Sequence, residues 1–171
     1  MELAQTLEER ISGWQFDDAA HQNEHAIEVE LPFLHALAPK SGVVGVAIGR
    51  TSLEQCIQFG EQLAEILASM DPRPLLVISS DMHHFAPEAE NRRLDKLAID
   101  AMLQLNPQLL YETVRNNRIT MCGVLPAVIV METLRRLNQL SKIEITGYST
   151  SADTTGDKSS VVGYCGMLLG G

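Results

Sequence analysis

The chain has 171 residues, 45% hydrophobic and 20% charged, which suits one domain with an ordinary core and excludes a disordered, collagenous or coiled-coil chain. Its 22 acidic against 13 basic residues leave a net charge of −9, a surface that repels phosphate backbones, so generic nucleic-acid or anionic-membrane binding is not expected. Met1 to Arg10 lacks the basic and apolar parts of a secretory signal, the apolar run Val124 to Met131 is far short of the roughly 20 residues of a membrane span, and the scattered Cys56, Cys122 and Cys165 suit a reducing cytoplasm.

Leu3, Leu7 and Ile11 recur at helical spacing and predict a short amphipathic helix ending near Ser12-Gly13. After a polar stretch from Phe16, Asn23 reads as the N-cap of a helix that carries Ile27, Leu31 and Leu34 on one face, with Pro32 kinking it or ending its first part. Val43 to Ile48 and Leu75 to Ile78 are short β-rich apolar runs, and Ser52 to Met70 between them has helical periodicity. Strand, helix and strand in that order predict a βαβ unit with parallel strands, and continuous apolarity predicts a sheet covered on both faces. Further helices are expected around Leu94 to Leu103, over Pro107 to Val114, and over Val124 to Leu140 with Pro126 in the first turn. The chain closes with two expected strands, Ile143 to Tyr148 and Ser160 to Leu169, joined by a polar loop. The fold class is therefore a single α/β domain over residues 1–171, with a mainly parallel sheet flanked by helices.

Four segments could carry chemistry. Ser79-Ser-Asp-Met-His-His84 follows an expected strand, where ligands gather in open parallel sheets. Asp81 and the histidines can hold a divalent cation or move protons near neutral pH; equally, Ser79 to Asp81 could cap the next helix. Cys122 precedes an expected helix N-terminus, which favours thiolate, a soft metal ligand and a nucleophile, although a free cysteine often serves only as a small hydrophobe. In Asn23 to Glu28, Glu24 shares a helical face with Glu28 and His25 can meet Glu28, either to orient an imidazole or as a solvated first turn. The loop Ser149 to Ser160, with Asp153, is either substrate-facing or only a connection. Phosphate-binding glycine loops, CxxC pairs, HExxH and GxSxG are absent from the sequence.

Taken in order, Glu24-His-Ala-Ile-Glu-Val-Glu-Leu-Pro-Phe33, Val77-Ile-Ser-Ser-Asp-Met-His-His84, Met121-Cys-Gly-Val-Leu-Pro126 and Tyr148 to Asp157 with Ser160 to Tyr164 resemble the Memo family, called AmmeMemoRadiSam system protein B in prokaryotes. The resemblance implies an α/β fold distantly related to the class III extradiol dioxygenases, which use non-haem iron. It implies a pocket of histidines and a cysteine, with iron or copper as the metal. Carried onto this chain, Cys122 is the thiolate metal ligand and His84 the acid/base histidine, with Asp81 beside it in a catalytic role. Glu24, His25 and Asp153 are placed next to the pocket, while His83 falls where the motif varies.

The resemblance covers roughly the C-terminal three fifths of a family member. The preceding part of the family carries two histidine motifs whose imidazoles are ligands, so the chain reads as N-terminally incomplete. Its ligand set is partial, and it could equally hold no cofactor of its own. An uncovered apolar edge is expected where the sheet loses strands, to be closed by a second copy or by a chain supplying the missing half. Three functions stay open. The first is a metal-dependent oxidoreductase pocket completed from elsewhere. The second is a non-catalytic module binding AMMECR-type and radical-SAM partner proteins. The third is thiol chemistry at Cys122 with His84 as base. A cytoplasmic location is expected for all of them.

Overall fold

The computed structural model describes residues 2–171. Its first helix, α1 (Glu2–Arg10), buries Leu7, and Ile11 beyond its end is also in the core, as the spacing predicts. The helix expected from Asn23 starts later. After a four-residue α2 (Asp18–His21), a 3-10 turn (Glu28–Glu30) leads into α3 (Leu31–Leu37), with Pro32 in the first turn, where its missing N–H is harmless. Asn23 does not cap a helix; instead the Glu24 carboxylate accepts from the Ala26 and Ile27 amides in the turn that precedes the 3-10 turn.

The centre of the molecule is a pair of helices, α4 (Leu53–Ala68) and α7 (Val124–Arg136). Helix α4 starts at a capping box, in which the Ser52 hydroxyl accepts from the Gln55 amide at 3.2 Å and Gln55 Oε1 accepts from the Ser52 amide at 3.0 Å. Cys56, Leu63, Ile66 and Leu67 of α4 pack with Ala127, Val128, Ile129 and Met131 of α7. Helix α7 ends at Arg136, earlier than predicted, because Asn138 takes a left-handed conformation at φ 55° and breaks the helical path. Helices α5 (Glu88–Leu103) and α6 (Pro107–Asn116) complete the helical layer, and Leu110 and Val114 of α6 are fully inside. Glu132 of α7 is almost wholly buried, and Arg135 and Arg136 bind its carboxylate at 2.6 and 2.7 Å. None of the described helices is long and apolar enough to cross a membrane.

The sheet corrects the sequence reading. Among the described residues it is small and antiparallel, with order β1-β3-β2, and it consists of β1 (His84–Ala86), β2 (Lys142–Thr150) and β3 (Val161–Gly170). The terminal hairpin forms as expected; its register runs from Lys142 opposite Gly170 to Thr150 opposite Gly163, with an irregularity between Ile145 and Gly147. A four-residue α8 (Ala152–Thr155) sits in the connection. The predicted parallel sheet is not formed. Residues 43–48 and 75–78 flank α4, but they have no ladder partner among the described residues. One side of each segment faces the core, through Ile48, Leu76 and Ile78, while Val43, Val44, Val46, Leu75 and Val77 face solvent, with Leu75 83% exposed. Apolar runs record what a strand needs covered, but a ladder also needs a neighbour to supply the opposing N–H and C=O groups.

The closest helix contact has no room for a side chain at Gly60: a methyl group there would lie 2.7 Å from Glu132 Cβ and 2.8 Å from the Ile129 carbonyl oxygen. Gly60→Ala gains helix propensity of up to about 1 kcal/mol but forces α4 and α7 apart, an overpacking cost of about 1–3 kcal/mol. A net loss of stability is expected in urea denaturation. A midpoint at or above the wild-type value would show that the two helices are not packed as described.

Candidate metal centre

Two loops build the site. The first runs through Ser79 to His83 into β1, and the second links α6 to α7 through Thr120, Met121 and Cys122. They are joined by polar contacts rather than by apolar packing alone. The Gly123 amide donates to Ser80 Oγ at 2.9 Å, the Asp81 amide to Cys122 Sγ at 3.1 Å, the His84 amide to Thr120 Oγ1 at 2.8 Å, and the Thr120 amide to His83 Nδ1 at 3.1 Å. Gly123 makes this approach possible, because a Cβ there would collide with Ser80 Cβ. Ser79 to Asp81 do not cap a helix: β1 follows them, and α5 begins only after Pro87.

This joining gathers residues that lie up to 41 positions apart in sequence. One ligand atom each of Asp81, His84 and Cys122 lies within 4.8 Å of the others. His84 Nε2 is 3.6 Å from Asp81 Oδ2, beyond hydrogen-bond distance, and is a buried nitrogen without a hydrogen-bond partner among the described residues. Buried polar atoms nearly always have a partner, and this nitrogen is left open toward a carboxylate and a sulfur, where it could accept a ligand bond. The Cys122 side chain is exposed and accepts one amide N–H, leaving it free to ligate. Thiolate, imidazole and carboxylate together suit a first-row transition metal better than magnesium or calcium, which favour oxygen ligands alone. The residues therefore fit a first-row transition-metal ion.

The other predicted site residues lie apart from this cluster. His25 pairs with Glu28 at 2.9 Å on an exposed surface, and Glu24 is occupied with its own backbone cap. Asp153 accepts from the Thr150 amide at 3.0 Å and the Ser149 hydroxyl at 2.7 Å, and lies 3.4 Å from Arg92. These bonds, the Thr150 amide first, hold its carboxyl below the usual range and tie down the turn into α8.

Several neighbours of the cluster have no motif of their own. His83, unranked by its motif, is buried, and burial lowers its imidazole pKa despite the opposing Asp95 charge. A neutral ring suits its place, since Nδ1 must accept from Thr120. Asp95 of α5 is fully buried and accepts from the His83 amide at 2.7 Å, Asn91 Nδ2 at 3.0 Å and the Tyr148 hydroxyl at 2.6 Å. Burial and this carboxylate push the Tyr148 phenol well above its ordinary pKa, while Arg92 lies over its ring at 5.4 Å. The signal for Asp95 was an i, i+4 pair of polar residues, Asn91 and Asp95, on the otherwise apolar stripe of Leu94, Ala98, Ala101 and Met102. Beside the cluster, Ser80, Thr146, Tyr148, Ser149, Tyr164 and Cys165 line an open concavity of about 480 Å³ where the β2–β3 register breaks.

Comparison with known proteins agrees with the motifs. The family described as Memo-like protein matches residues 1–168. A MEMO1 family protein of Aquifex aeolicus is 40% identical over 99% of this chain and 64% of its own length. MEMO1 family proteins of Methanocaldococcus jannaschii and Archaeoglobus fulgidus are 34% and 33% identical, each over 90% of this chain and over 54% and 58% of their own lengths. The chain thus spans less than two thirds of the length of these curated relatives. With the match running through the loops that carry Asp81, His84 and Cys122, the chain belongs to the Memo-like protein family.

Proposed function

We propose that Asp81, His84 and Cys122 form the part held by this chain of a metal pocket taking iron or copper, and that the pocket serves an oxidoreductase reaction. The observation that carries this reading is His84 Nε2, buried without a partner and facing the Asp81 carboxylate and the Cys122 sulfur. A bound iron or copper ion would supply the electron transfer that protein side chains do not. The chain's own residues supply the rest. Cys122 and His84 offer soft and borderline donors, Asp81 offers a charge to balance the cation, and the Asp81 amide directs the sulfur. The hydroxyl-lined concavity beside Ser80 gives a substrate room next to the ion.

Three donors leave coordination positions open, and the family resemblance assigns further ligands to a histidine-bearing segment that precedes the matched region. The exposed apolar edges at 43–48 and 75–78 support completion by added strands, from a second copy or from another polypeptide segment. Relatives longer than this chain supply a source for such strands.

The test is metal content per chain, measured by elemental mass spectrometry after anaerobic loading with iron(II) or copper(I). Stoichiometric metal is expected in the wild type, with loss in Cys122→Ser. Stoichiometric metal retained in Cys122→Ser would overturn the ligand assignment, and no metal in either protein would favour a binding module without a metal. Light scattering tests the edges: a particle of at least twice the chain mass is expected at micromolar concentration, falling toward the monomer when Val44→Lys and Val77→Lys are combined. A wild-type monomer at every concentration would remove the second copy as the completing partner.

A further inference from the structure

Asp95 has no place in the metal cluster, yet its contacts lead to it. Its Oδ1 accepts the His83 amide at 2.7 Å, and the next amide, that of His84, is held by Thr120 Oγ1 at 2.8 Å. The Gly163 amide of β3 donates to the His83 carbonyl at 3.0 Å, so α5, β3 and the loop before α7 all grip one short piece of backbone. His84 is therefore fixed from behind, by its own main chain, while its Nε2 faces the cluster without a hydrogen-bond partner. Among the described residues no cation pairs with Asp95 directly: Arg92 lies over the Tyr148 ring and pairs with Glu88 and Asp153. Burying a carboxylate this way is costly unless its acceptors are used, and here three donors use them.

We propose that Asp95 is a positioning residue for the metal pocket, setting the reach of His84 Nε2 toward Asp81 and Cys122 through the His83 amide. This rests on the metal-pocket reading for its purpose but not for its geometry. The feature that matters is an oxygen acceptor at Oδ1. Asparagine can keep it: the Asn Oδ1 accepts from His83, its amide nitrogen faces the Tyr148 hydroxyl, and Asn91 has an unpartnered Oδ1 to turn toward that nitrogen. Alanine cannot.

The experiment compares wild type, Asp95→Ala, Asp95→Asn and Tyr148→Phe by two measurements. The first is the imidazole ¹H–¹⁵N spectrum of His84 in metal-free protein. The second is affinity for cobalt(II), followed by its thiolate charge-transfer absorption. In Asp95→Ala the His84 resonances are expected to shift or broaden and cobalt(II) affinity to fall about tenfold or more, in the range seen when residues behind metal ligands are lost. Asp95→Asn should restore both. Tyr148→Phe should lower stability without moving the His84 resonances, because the His83 contact survives. Unchanged His84 resonances in a folded Asp95→Ala would overturn the proposal, as would an Asp95→Asn variant as impaired as the alanine. Should Asp95→Ala fail to fold, Asp95→Ser, whose hydroxyl is too short to reach the His83 amide, takes its place, and unmoved His84 resonances there would equally overturn it. If the wild type takes up no cobalt(II), the metal reading fails, and the metal-free spectra still decide whether Asp95 positions His84.

Discussion

The buried carboxylate of Asp95 is the contact on which the site's geometry depends. It joins helix α5, the backbone entering β1 and the phenol of Tyr148 on β2, beside the Arg92 side chain of α5 that lies over the same phenol ring. A polar side chain at full burial is tolerated only when its acceptors are engaged, and three donors engage this one, so the contact is selective as well as cohesive. A small slip of α5 along its axis would take Oδ1 off the His83 amide and leave a buried acceptor and a buried donor unpaired, at about 1–3 kcal/mol each. The apolar face of α5 tolerates sliding far better than this one polar pair does. The register of the helix against the sheet is thus fixed by Asp95, and the loops that hold Asp81 and His84 follow from it.

The second constraint is the joining of the two loops. Glycine at 123, hydroxyls at 80 and 120, and a ring nitrogen at 83 bring the Cys122 loop against the Asp81–His84 loop without any direct contact between ligating side chains being required. Most of these structural hydrogen bonds are made by groups other than the candidate ligating atoms, which leaves His84 Nε2 available. The Cys122 sulfur is the exception: it takes part in the joining through the Asp81 amide while its side chain stays exposed.

Legibility in the sequence followed the range of the interactions. Local signals served well: the helix opening at Pro107 and the terminal hairpin are determined within a few residues. The motif residues Asp81, His84 and Cys122 were also readable, and the structure brings those three together. What failed was pairing. Residues 43–48 and 75–78 have strand composition, but whether they join a ladder depends on a partner that composition does not specify. Asp95 was missed for a related reason. An acidic residue on a helix is ordinarily a solvated one, and only its placement on the buried stripe, four residues after Asn91, distinguishes it.

The exposed edges and the partial donor set are two consequences of the same organisation. In this chain the antiparallel β1-β3-β2 unit carries the cluster at one end, through His84 of β1, while the run 74–81, outside any ladder, leads into that cluster. Any strand added along residues 75–78 would run beside Ser79 to Asp81, so its own side chains would emerge next to the Asp81, His84 and Cys122 cluster. Covering the apolar edge and supplying further donors are therefore geometrically one act. A ligand set completed in this way couples metal affinity to association: each favours the other by the same free energy, as linkage requires. If the cluster holds a metal, the open edge is thus part of the site's chemistry as well as a gap in its packing.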